Sequence, residues 1–343
     1  MSATAPPLLE VEDLTIEVRG ADGTALPIVR GVSFTVADGE VLGIVGESGS
    51  GKTMTLLALL GLLPPRVRVR GAVRFRGRDL LTLSEPELRK LRGAEIAVVF
   101  QDPMSSLNPV QRVGDQVAEQ LRAHRGLDRG AAATRAVELL ERVGIPNAAS
   151  RARSYPHELS GGMRQRVMIA AALSCEPALL LADEPTTALD VTIQAEILAL
   201  LRELADQLGA AVVLISHDLG VISEMASQIA VMYAGDVVEQ GASAAVFANP
   251  QHPYTWGLLG SIPLLEGWPP KPLHAIPGQP PTVAARPSGC PFRIRCAHAF
   301  EACTERPELL GRVAADHRDR CHLEPAAKAA ARQAAPLDAG AAS

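Results

Sequence analysis

The chain has 343 residues, of which 47% are hydrophobic and 3% aromatic, and its formal net charge is -5. This length allows roughly two domains, while the acidic balance and the few aromatic rings exclude the basic or base-stacking surface of a nucleic-acid-binding protein. No apolar run approaches the ~18 residues that a membrane-spanning helix needs, and residues 1–7 contain no signal-peptide core. We therefore expect a cytosolic protein that borrows any membrane part from partner subunits.

The first predicted elements are strands. Apolar and polar residues alternate from Leu8 to Val36, which predicts an antiparallel sheet. The apolar run Val41–Val45 then leads directly into a glycine-rich loop.

This loop has the full phosphate-loop pattern G-x-x-x-x-G-K-S/T, and a helical pattern from Met54 to Leu63 follows it. Strand, loop and helix therefore stand in the order that the motif requires. The glycines are expected to turn backbone N–H groups toward phosphates, Lys52 to bind the β- and γ-phosphates, and Thr53 to bind Mg²⁺. The loop residues are Gly46, Glu47, Ser48, Gly49, Ser50, Gly51, Lys52 and Thr53.

A helical lobe is predicted next. A short strand pattern, Ile96–Phe100, ends at Gln101. The surface loop Asp102–Pro109, with a proline near each end, then precedes helical patterns at Val113–Ala123 and Ala131–Val143. These helices are inserted between two parts of the predicted α/β core.

A second glycine-rich helix start lies at Leu159–Arg166, with the sequence LSGGMRQR. Its backbone N–H groups and its positive dipole end suit an anion. The residues that open this helix are Ser160, Gly161 and Gly162. Because the chain already has one phosphate loop, this second anion site predicts two nucleotide domains that close face to face over ATP.

Two acidic residues follow the apolar run Ala178–Ala182. A continuous apolar run is typical of a parallel strand buried on both faces, where acids are costly unless they have a role. Asp183 can hold Mg²⁺ through water. Glu184 lies where it can polarise a water for attack on the γ-phosphate.

With these motifs in order, the chain resembles the nucleotide-binding subunits of ABC transporters. Gln101 occupies the position of that family's Q-loop glutamine, and Asp190, in Thr187–Asp190, resembles the D-loop aspartate. His217, after the apolar run Val212–Ser216, resembles the switch histidine. The resemblance covers five motifs over about 190 residues.

The resemblance implies a role for each of these positions. Gln101 is expected to sense Mg²⁺ and the attacking water, and His217 to contact the γ-phosphate and orient Glu184. The helix start at residues 160–162 is expected to reach the γ-phosphate of a partner subunit's ATP, and Asp190 is expected to be a nucleotide-binding residue. The family also stacks adenine on an aromatic residue, but the corresponding Leu14–Arg19 has none. Stacking is therefore expected to fall to Val18 or Arg19, with weak discrimination between bases.

Proline is frequent from Asn249 to Pro287, which predicts an extended surface strap. The strap starts at the motif His252–Thr255. Residues 325–343 are rich in alanine without an apolar stripe, which favours disorder over a short helix.

Four of the five cysteines follow the strap, in the pattern C-x5-C-x6-C-x17-C: Cys290, Cys296, Cys303 and Cys321. Clustered cysteines in a cytosolic protein indicate metal rather than disulfides. The wide gaps fit zinc poorly and favour an iron–sulfur cluster, with zinc and free thiols as alternatives. Cys175 is interpreted as a small buried residue.

The strap and the cysteines resemble the ATPase subunits of bacterial dipeptide and oligopeptide importers, particularly the dipeptide-permease D type. That group implies a 4Fe-4S cluster on the four cysteines, ATP and Mg²⁺ as ligands, and a location on the cytoplasmic face of the bacterial plasma membrane. It implies three kinds of partner: a second homologous ATPase subunit, two transmembrane permease subunits and an extracytoplasmic binding protein. Importers of nickel or another small solute are the alternative, and a soluble translation or DNA-maintenance ATPase is a remote one.

The predicted fold class is α/β. The resemblance implies a P-loop ABC nucleotide-binding domain with a RecA-like core, an antiparallel β subdomain, a helical subdomain and a small cysteine-rich C-terminal extension. The predicted segments are residues 1–100 and 176–248 for the ATPase core, 101–175 for the helical subdomain, 249–324 for the strap and cysteine region, and 325–343 for the disordered tail.

Overall fold

The computed structural model describes residues 6–20, 23–187, 189–261 and 276–334. The strands are β1 Leu9–Arg19, β2 Ala25–Val36, β3 Val41–Val45, β4 Val67–Phe75, β5 Arg78–Asp79, β6 Ile96–Val99, β7 Leu179–Asp183, β8 Ala211–Ser216, β9 Gln228–Tyr233, β10 Asp236–Ala242, β11 Leu310–Ala314 and β12 His317–Asp319. The helices are α1 Lys52–Leu59, α2 Glu85–Leu91, α3 Pro103–Ser106, α4 Val113–Arg125, α5 Arg129–Arg142, α6 Ala148–Arg151, α7 Gly161–Leu173, α8 Val191–Leu208, α9 Leu219–Met225, α10 Ser243–Ala248, α11 Pro253–Gly260 and α12 Pro325–Ala334.

The larger sheet of the described residues has the strand order β11-β12-β10-β9-β3-β8-β7-β6. Strands β9, β3, β8, β7 and β6 run parallel, and β10, β12 and β11 are antiparallel additions at one side. The aliphatic residues of β7 and β8 are fully buried, as expected of strands covered on both faces. Because the carboxyl ends of parallel strands share one edge, the loops after β3, β6, β7 and β8 meet there.

The smaller sheet has the order β2-β1-β4-β5, and its pairings are antiparallel. This confirms the antiparallel sheet predicted from the alternation between Leu8 and Val36. Its inward residues, among them Leu9, Leu14 and Ile16, pack with α1 and with one face of the larger sheet.

The predicted helical lobe is present between β6 and β7. Its two long predicted helices are α4 and α5, each within two residues of the predicted bounds. Buried Leu121, Leu140 and Ile169 join α4, α5 and α7 in one apolar cluster with the other face of the larger sheet. Cys175 is fully buried beside this lobe, as predicted.

The start of the proline-rich segment is not an extended strap, whereas residues 276–287 contain no helix or strand and are exposed or half-buried, which agrees with a surface segment. Residues 253–260 form α11, because proline is tolerated in the first turn and the His252 Nδ1 accepts a hydrogen bond from the Tyr254 N–H at 3.1 Å. Tyr254 and Thr255 are buried rather than on the surface. Pro269, Pro270 and Pro272 lie outside the described residues.

The tail also differs from its predicted disorder, since residues 325–334 form α12. The prediction missed a contact that is ionic rather than apolar. Lys328, with its side chain fully buried, donates a 2.6 Å hydrogen bond to the Asp319 carboxylate on β12. Residues 335–343 lie outside the described residues.

The cysteine region, taken from here on as residues 276–334, is continuous with the ATPase core. Strand β12 pairs with β10, so the region extends the larger sheet. Cys290, Phe292 and Cys303 belong to the same apolar cluster as the helical lobe and the parallel strands. In the part of the chain that the structure describes, no helix has both the length and the apolar character needed to cross a membrane.

Candidate ATP site

The phosphate loop joins the central strand β3 to α1. Gly46, Gly49 and Gly51 have φ values of 151°, 78° and 103°, which side chains rarely allow. At Gly46 a Cβ would lie 2.0 Å from the Met232 carbonyl oxygen, so only glycine fits. The loop conformation thus explains why glycine stands at these positions.

Lys52 holds its ammonium over this loop. Its Nζ donates to the carbonyl oxygens of Gly46 at 2.7 Å and Glu47 at 3.1 Å, and the side chain is buried. Burial lowers the pKa of Lys52, while the carboxylates of Glu184 and Asp183 oppose this shift. Neighbouring negative charge therefore favours the cationic form that phosphate binding requires.

Asp183 ends β7 as a buried carboxyl beside Thr53. Burial raises the pKa of Asp183, and a hydrogen bond from the Thr53 hydroxyl and the charge of Lys52 oppose this shift. A buried carboxylate next to a hydroxyl is a donor set that suits Mg²⁺. The two residues predicted from separate motifs are thus in contact.

Glu184 is the centre of a polar cluster at the sheet edge. Its Oε2 accepts a hydrogen bond from the Thr187 hydroxyl at 2.9 Å and lies 3.1 Å from the His217 Nδ1. The Gln101 amide nitrogen lies 3.4 Å from the same oxygen. The three predicted catalytic residues therefore meet at one carboxylate. Thr187 was not singled out, because a threonine in a turn carries no pattern of its own.

The backbone at Glu184 is strained, with φ at 45° in the left-handed region. Its N–H donates to the Ile215 carbonyl oxygen of β8 at 2.9 Å, which fixes the residue just beyond the strand. The Glu184 side chain is 18% exposed, whereas that of His217 is 65% exposed. The carboxylate is held in the fold while the imidazole faces open space.

The second glycine-rich segment occupies a different place. Ser160 caps α7, and its hydroxyl accepts a hydrogen bond from the Met163 N–H at 3.3 Å. Gly161 lines a cavity of about 320 Å³ together with Gln101 and Leu189. Among the described residues, no hydrogen bond joins Ser160, Gly161 or Gly162 to the phosphate loop.

Asp190 caps α8, and its carboxylate accepts a hydrogen bond from the Ile193 N–H at 3.0 Å. At the other end of the site, Val18 is half-buried and Arg19 exposed at the end of β1. Arg19 therefore has the more open surface of the two candidates for adenine stacking.

Two side chains from beyond the ATPase motifs reach the phosphate loop. The Tyr254 hydroxyl accepts a hydrogen bond from the Glu47 N–H at 2.9 Å. Arg295 donates to both Glu47 carboxylate oxygens, at 2.6 and 3.1 Å. Sequence patterns did not identify these contacts, because Arg295 lies 248 residues from Glu47 along the chain.

The four predicted cysteines line one small cavity of about 10 Å³, with His252, His298 and His322 also on its wall. Cys290, Cys303 and Cys321 are buried, and Cys296 is half-buried. Burial raises the pKa of the Cys290 thiol to about 12 and that of Cys321 to about 11. Across the described ranges, no group of three or more His, Cys, Asp or Glu side chains is arranged to hold a metal ion.

Comparison with known proteins agrees with these motifs. Residues 29–187 match the family "ABC transporter", and residues 238–303 match "Oligopeptide/dipeptide transporter, C-terminal region". The chain is 50% identical over 302 residues to the oligopeptide transport ATP-binding protein OppD of Salmonella typhimurium, covering 88% of this chain and 90% of that one. It is 49% identical over 312 residues to OppD of Bacillus subtilis, covering 90% and 87%.

Solved structures show the same similarity over the ATPase part. A dimeric ATP-binding cassette in a post-hydrolysis state, bound to ADP and phosphate, matches with a TM-score of 0.62 and 30% identity, covering 68% of this chain and 98% of that one. A component of an ABC transporter complex of Clostridium perfringens matches with a TM-score of 0.59 and 30% identity, covering 71% and 92%.

Proposed function

The chain belongs to the ABC transporter family, and on this premise we propose that it binds and hydrolyses ATP to energise a bacterial importer of dipeptides and oligopeptides. The observation that carries the proposal is the convergence of Gln101, Glu184 and His217 beside a complete phosphate loop. The relatives named for oligopeptide transport support the substrate class.

In the proposed mechanism, the phosphate loop binds the ATP phosphates through its backbone N–H groups and Lys52. Asp183, Thr53 and Gln101 are the side chains that would hold Mg²⁺. When bound, the ion offsets charge on the phosphates. The buried Asp183 carboxyl beside the Thr53 hydroxyl supports this assignment, because a cation would relieve the cost of its burial.

Glu184 is the proposed general base. It takes a proton from the water that attacks the γ-phosphate, and the bond to the departing ADP breaks. Thr187 donates to the carboxylate, and His217 donates to it when its Nδ1 carries the proton. These contacts hold the carboxylate in one orientation, while the exposed imidazole is free to reach the γ-phosphate.

Residues 160–162 and Asp190 are proposed to act on the ATP of a partner subunit. The helix they precede, α7, is 13 residues long, so its N-terminal dipole is well developed. Because no hydrogen bond of the described residues joins this helix start to the chain's own phosphate loop, a second ATPase subunit facing it could use it, and the two subunits would share two sites. One ATP would then hold two proteins together until it is hydrolysed.

The membrane partners are proposed to dock beside Gln101. A groove of about 330 Å³ there is lined by Leu62, Phe100 and Leu107. Leu62, on the wall of this groove, is 44% exposed, which leaves apolar surface for a helix of another protein. The proposed assembly has two ATPase subunits, two transmembrane permease subunits and an extracytoplasmic binding protein, with this chain on the cytoplasmic face of the plasma membrane.

The four-cysteine cavity is proposed to hold a 4Fe-4S cluster, which would link segments that have little apolar core of their own. The convergence of four thiols on one cavity supports the proposal. A zinc ion needs all its ligands about 2 Å from one point, whereas cluster ligands are spread around a wider core. Three of the four cysteines are buried and the fourth is half-buried, so a cluster bound there would be shielded from solvent.

Analysis of anaerobically purified protein for iron, sulfide and zinc tests the cluster. We expect iron and sulfide together with an absorption band near ~400 nm, as iron–sulfur thiolate centres show. Stoichiometric zinc without iron would overturn the cluster and favour the zinc alternative.

Purification with its partners tests the importer assignment. We expect the tagged chain to co-purify from detergent-solubilised membranes with a related ATPase and two permease subunits, and the complex to hydrolyse ATP. A complex with nucleic acid and no membrane subunit would contradict the proposal. A nickel-binding partner protein would favour the nickel alternative.

A further inference from the structure

Glu47, the second residue of the phosphate loop, is held by the cysteine region. Its carboxylate oxygens lie 2.6 and 3.1 Å from the two terminal guanidinium nitrogens of Arg295. Arg295 lies between Cys290 and Cys296, and its side chain is only 5% exposed. This ion pair therefore joins the nucleotide site directly to the wall of the cysteine cavity.

Arg295 is itself fixed in one orientation. Its guanidinium donates to the Pro277 carbonyl oxygen at 2.8 Å, to Gly278 at 3.2 Å and to Ile276 at 3.3 Å. It also donates to the Tyr233 hydroxyl at 3.3 Å and lies over that ring. A planar guanidinium held at so many points presents a rigid fork to a carboxylate.

The backbone of Glu47 is held as well. Its N–H donates to Tyr254, and its carbonyl oxygen accepts from Lys52. Glu47 is thus restrained by Tyr254 and Arg295, two side chains from the C-terminal part of the chain. Its own carbonyl oxygen in turn supports Lys52. Without Arg295, the Glu47 carboxylate would stand next to the ATP phosphates as an unbalanced negative charge.

We propose that Arg295 is a positioning residue for ATP binding: it neutralises Glu47 and fixes the phosphate loop, and it thereby couples the cysteine region to the nucleotide site. This inference rests on the proposed ATPase function. It explains why an ATPase that already has its complete motifs carries a cysteine region packed into its core. Disturbing the cysteine region would then weaken nucleotide binding without touching the catalytic cluster.

Calorimetric titration of the full-length chain with MgADP tests the inference. We expect Arg295→Gln to weaken binding about tenfold, in line with the loss of a charged hydrogen-bonded contact. Arg306→Gln is the matched control: it removes another ion pair from the cysteine region, to Asp236, which does not touch the loop. We expect its affinity to stay within about twofold of the wild type.

A double variant separates this role from general support of the fold. If Arg295 acts through Glu47, adding Glu47→Gln to Arg295→Gln removes the unbalanced charge and recovers part of the lost affinity. A further loss in the double variant, an unchanged affinity in Arg295→Gln, or an equal loss in Arg306→Gln would overturn the inference.

Hydrogen exchange of the wild-type chain keeps the inference testable if Arg295→Gln does not fold. Coupling is reciprocal, so MgADP should slow amide exchange in residues 290–303. Glu47→Gln should remove this protection. If the chain binds MgADP and hydrolyses ATP normally in its complex, but MgADP does not change amide exchange in residues 290–303, the coupling is contradicted. The proposed function would then remain intact.

Discussion

The parallel core and the cysteine region differ in how much they depend on buried polar pairs. In the core, aliphatic strands such as β7 and β8 are fully buried, and the backbone brings their polar end residues to one edge. In the cysteine region, apolar contacts of Cys290, Phe292 and Cys303 are joined by buried polar pairs, His317 with Glu239 and Lys328 with Asp319. Substitutions at the core edge should therefore change ATP binding and hydrolysis, whereas substitutions in the cysteine region away from Arg295 should change local order.

The largest expected effect is on chemistry at the core edge. Glu184→Gln keeps the shape of the residue but removes the proposed general base, so ATP hydrolysis by the assembled complex should fall by about 100- to 10,000-fold. ATP binding should remain, because Lys52 and Asp183 are untouched. Phosphate release and nucleotide titration measure the two properties separately.

Glu203→Gln is the control for that variant, since Glu203 is an exposed acid of α8. Its turnover should match the wild type. Wild-type turnover in Glu184→Gln would show that another group activates the water.

The second largest expected effect is a loss of local stability in the cysteine region. Lys328→Ala leaves the Asp319 carboxylate buried without its cation, which should cost about 3 kcal/mol of local stability. Amide exchange in α12 and β12 should speed up accordingly, while the parallel strands keep their protection. The control is Arg89→Ala, which removes an exposed ion pair with Glu85 and should leave amide exchange in α12 and β12 unchanged. Equal acceleration throughout the chain would mean that the two regions unfold together.

The third largest expected effect is a loss of nucleotide affinity on substituting Lys52. Lys52→Ala removes the cation over the loop, and MgADP binding should weaken about 30-fold through lost charged hydrogen bonds. The exposed Lys90 offers the matched variant, Lys90→Ala, which should bind as the wild type does. Calorimetric titration measures the affinity for MgADP. Wild-type affinity in Lys52→Ala would show that Lys52 does not contribute to phosphate binding.

The smallest expected effect is at a single cysteine. Cys303→Ser places a hydroxyl in a buried position and should destabilise the cysteine region by about 1 kcal/mol or more, with the catalytic cluster intact. Limited proteolysis of residues 276–334 and a thermal unfolding profile measure the loss. Unchanged protease resistance would indicate that the thiol of Cys303 contributes nothing to the fold.

The core was predictable from the sequence because its signals are local. Val41–Val45 and the run before Asp183 are continuous apolar segments, and the glycines of the phosphate loop occupy conformations that demand glycine. Parallel pairing then brings Gln101, Glu184 and His217 together without further information.

The cysteine region was less predictable because its contacts are distant and ionic. Prolines near Pro253 suggested an extended strap, but one of them begins α11. The alanine-rich tail lacks an apolar stripe, yet Lys328 docks it through a charge. No local pattern could pair Arg295 with Glu47 across the chain. The four cysteines line one cavity, but the described residues are not arranged to hold a metal ion, so the cluster stays a prediction.

Uptake of a labelled dipeptide into proteoliposomes tests the central claim most directly. Vesicles would hold the purified complex of this chain with its ATPase and permease partners and receive the binding protein. We expect uptake that requires ATP, is lost with Glu184→Gln and persists with Glu203→Gln. ATP hydrolysis without peptide uptake, or uptake of Ni²⁺ in place of the peptide, would contradict the assignment to peptide import.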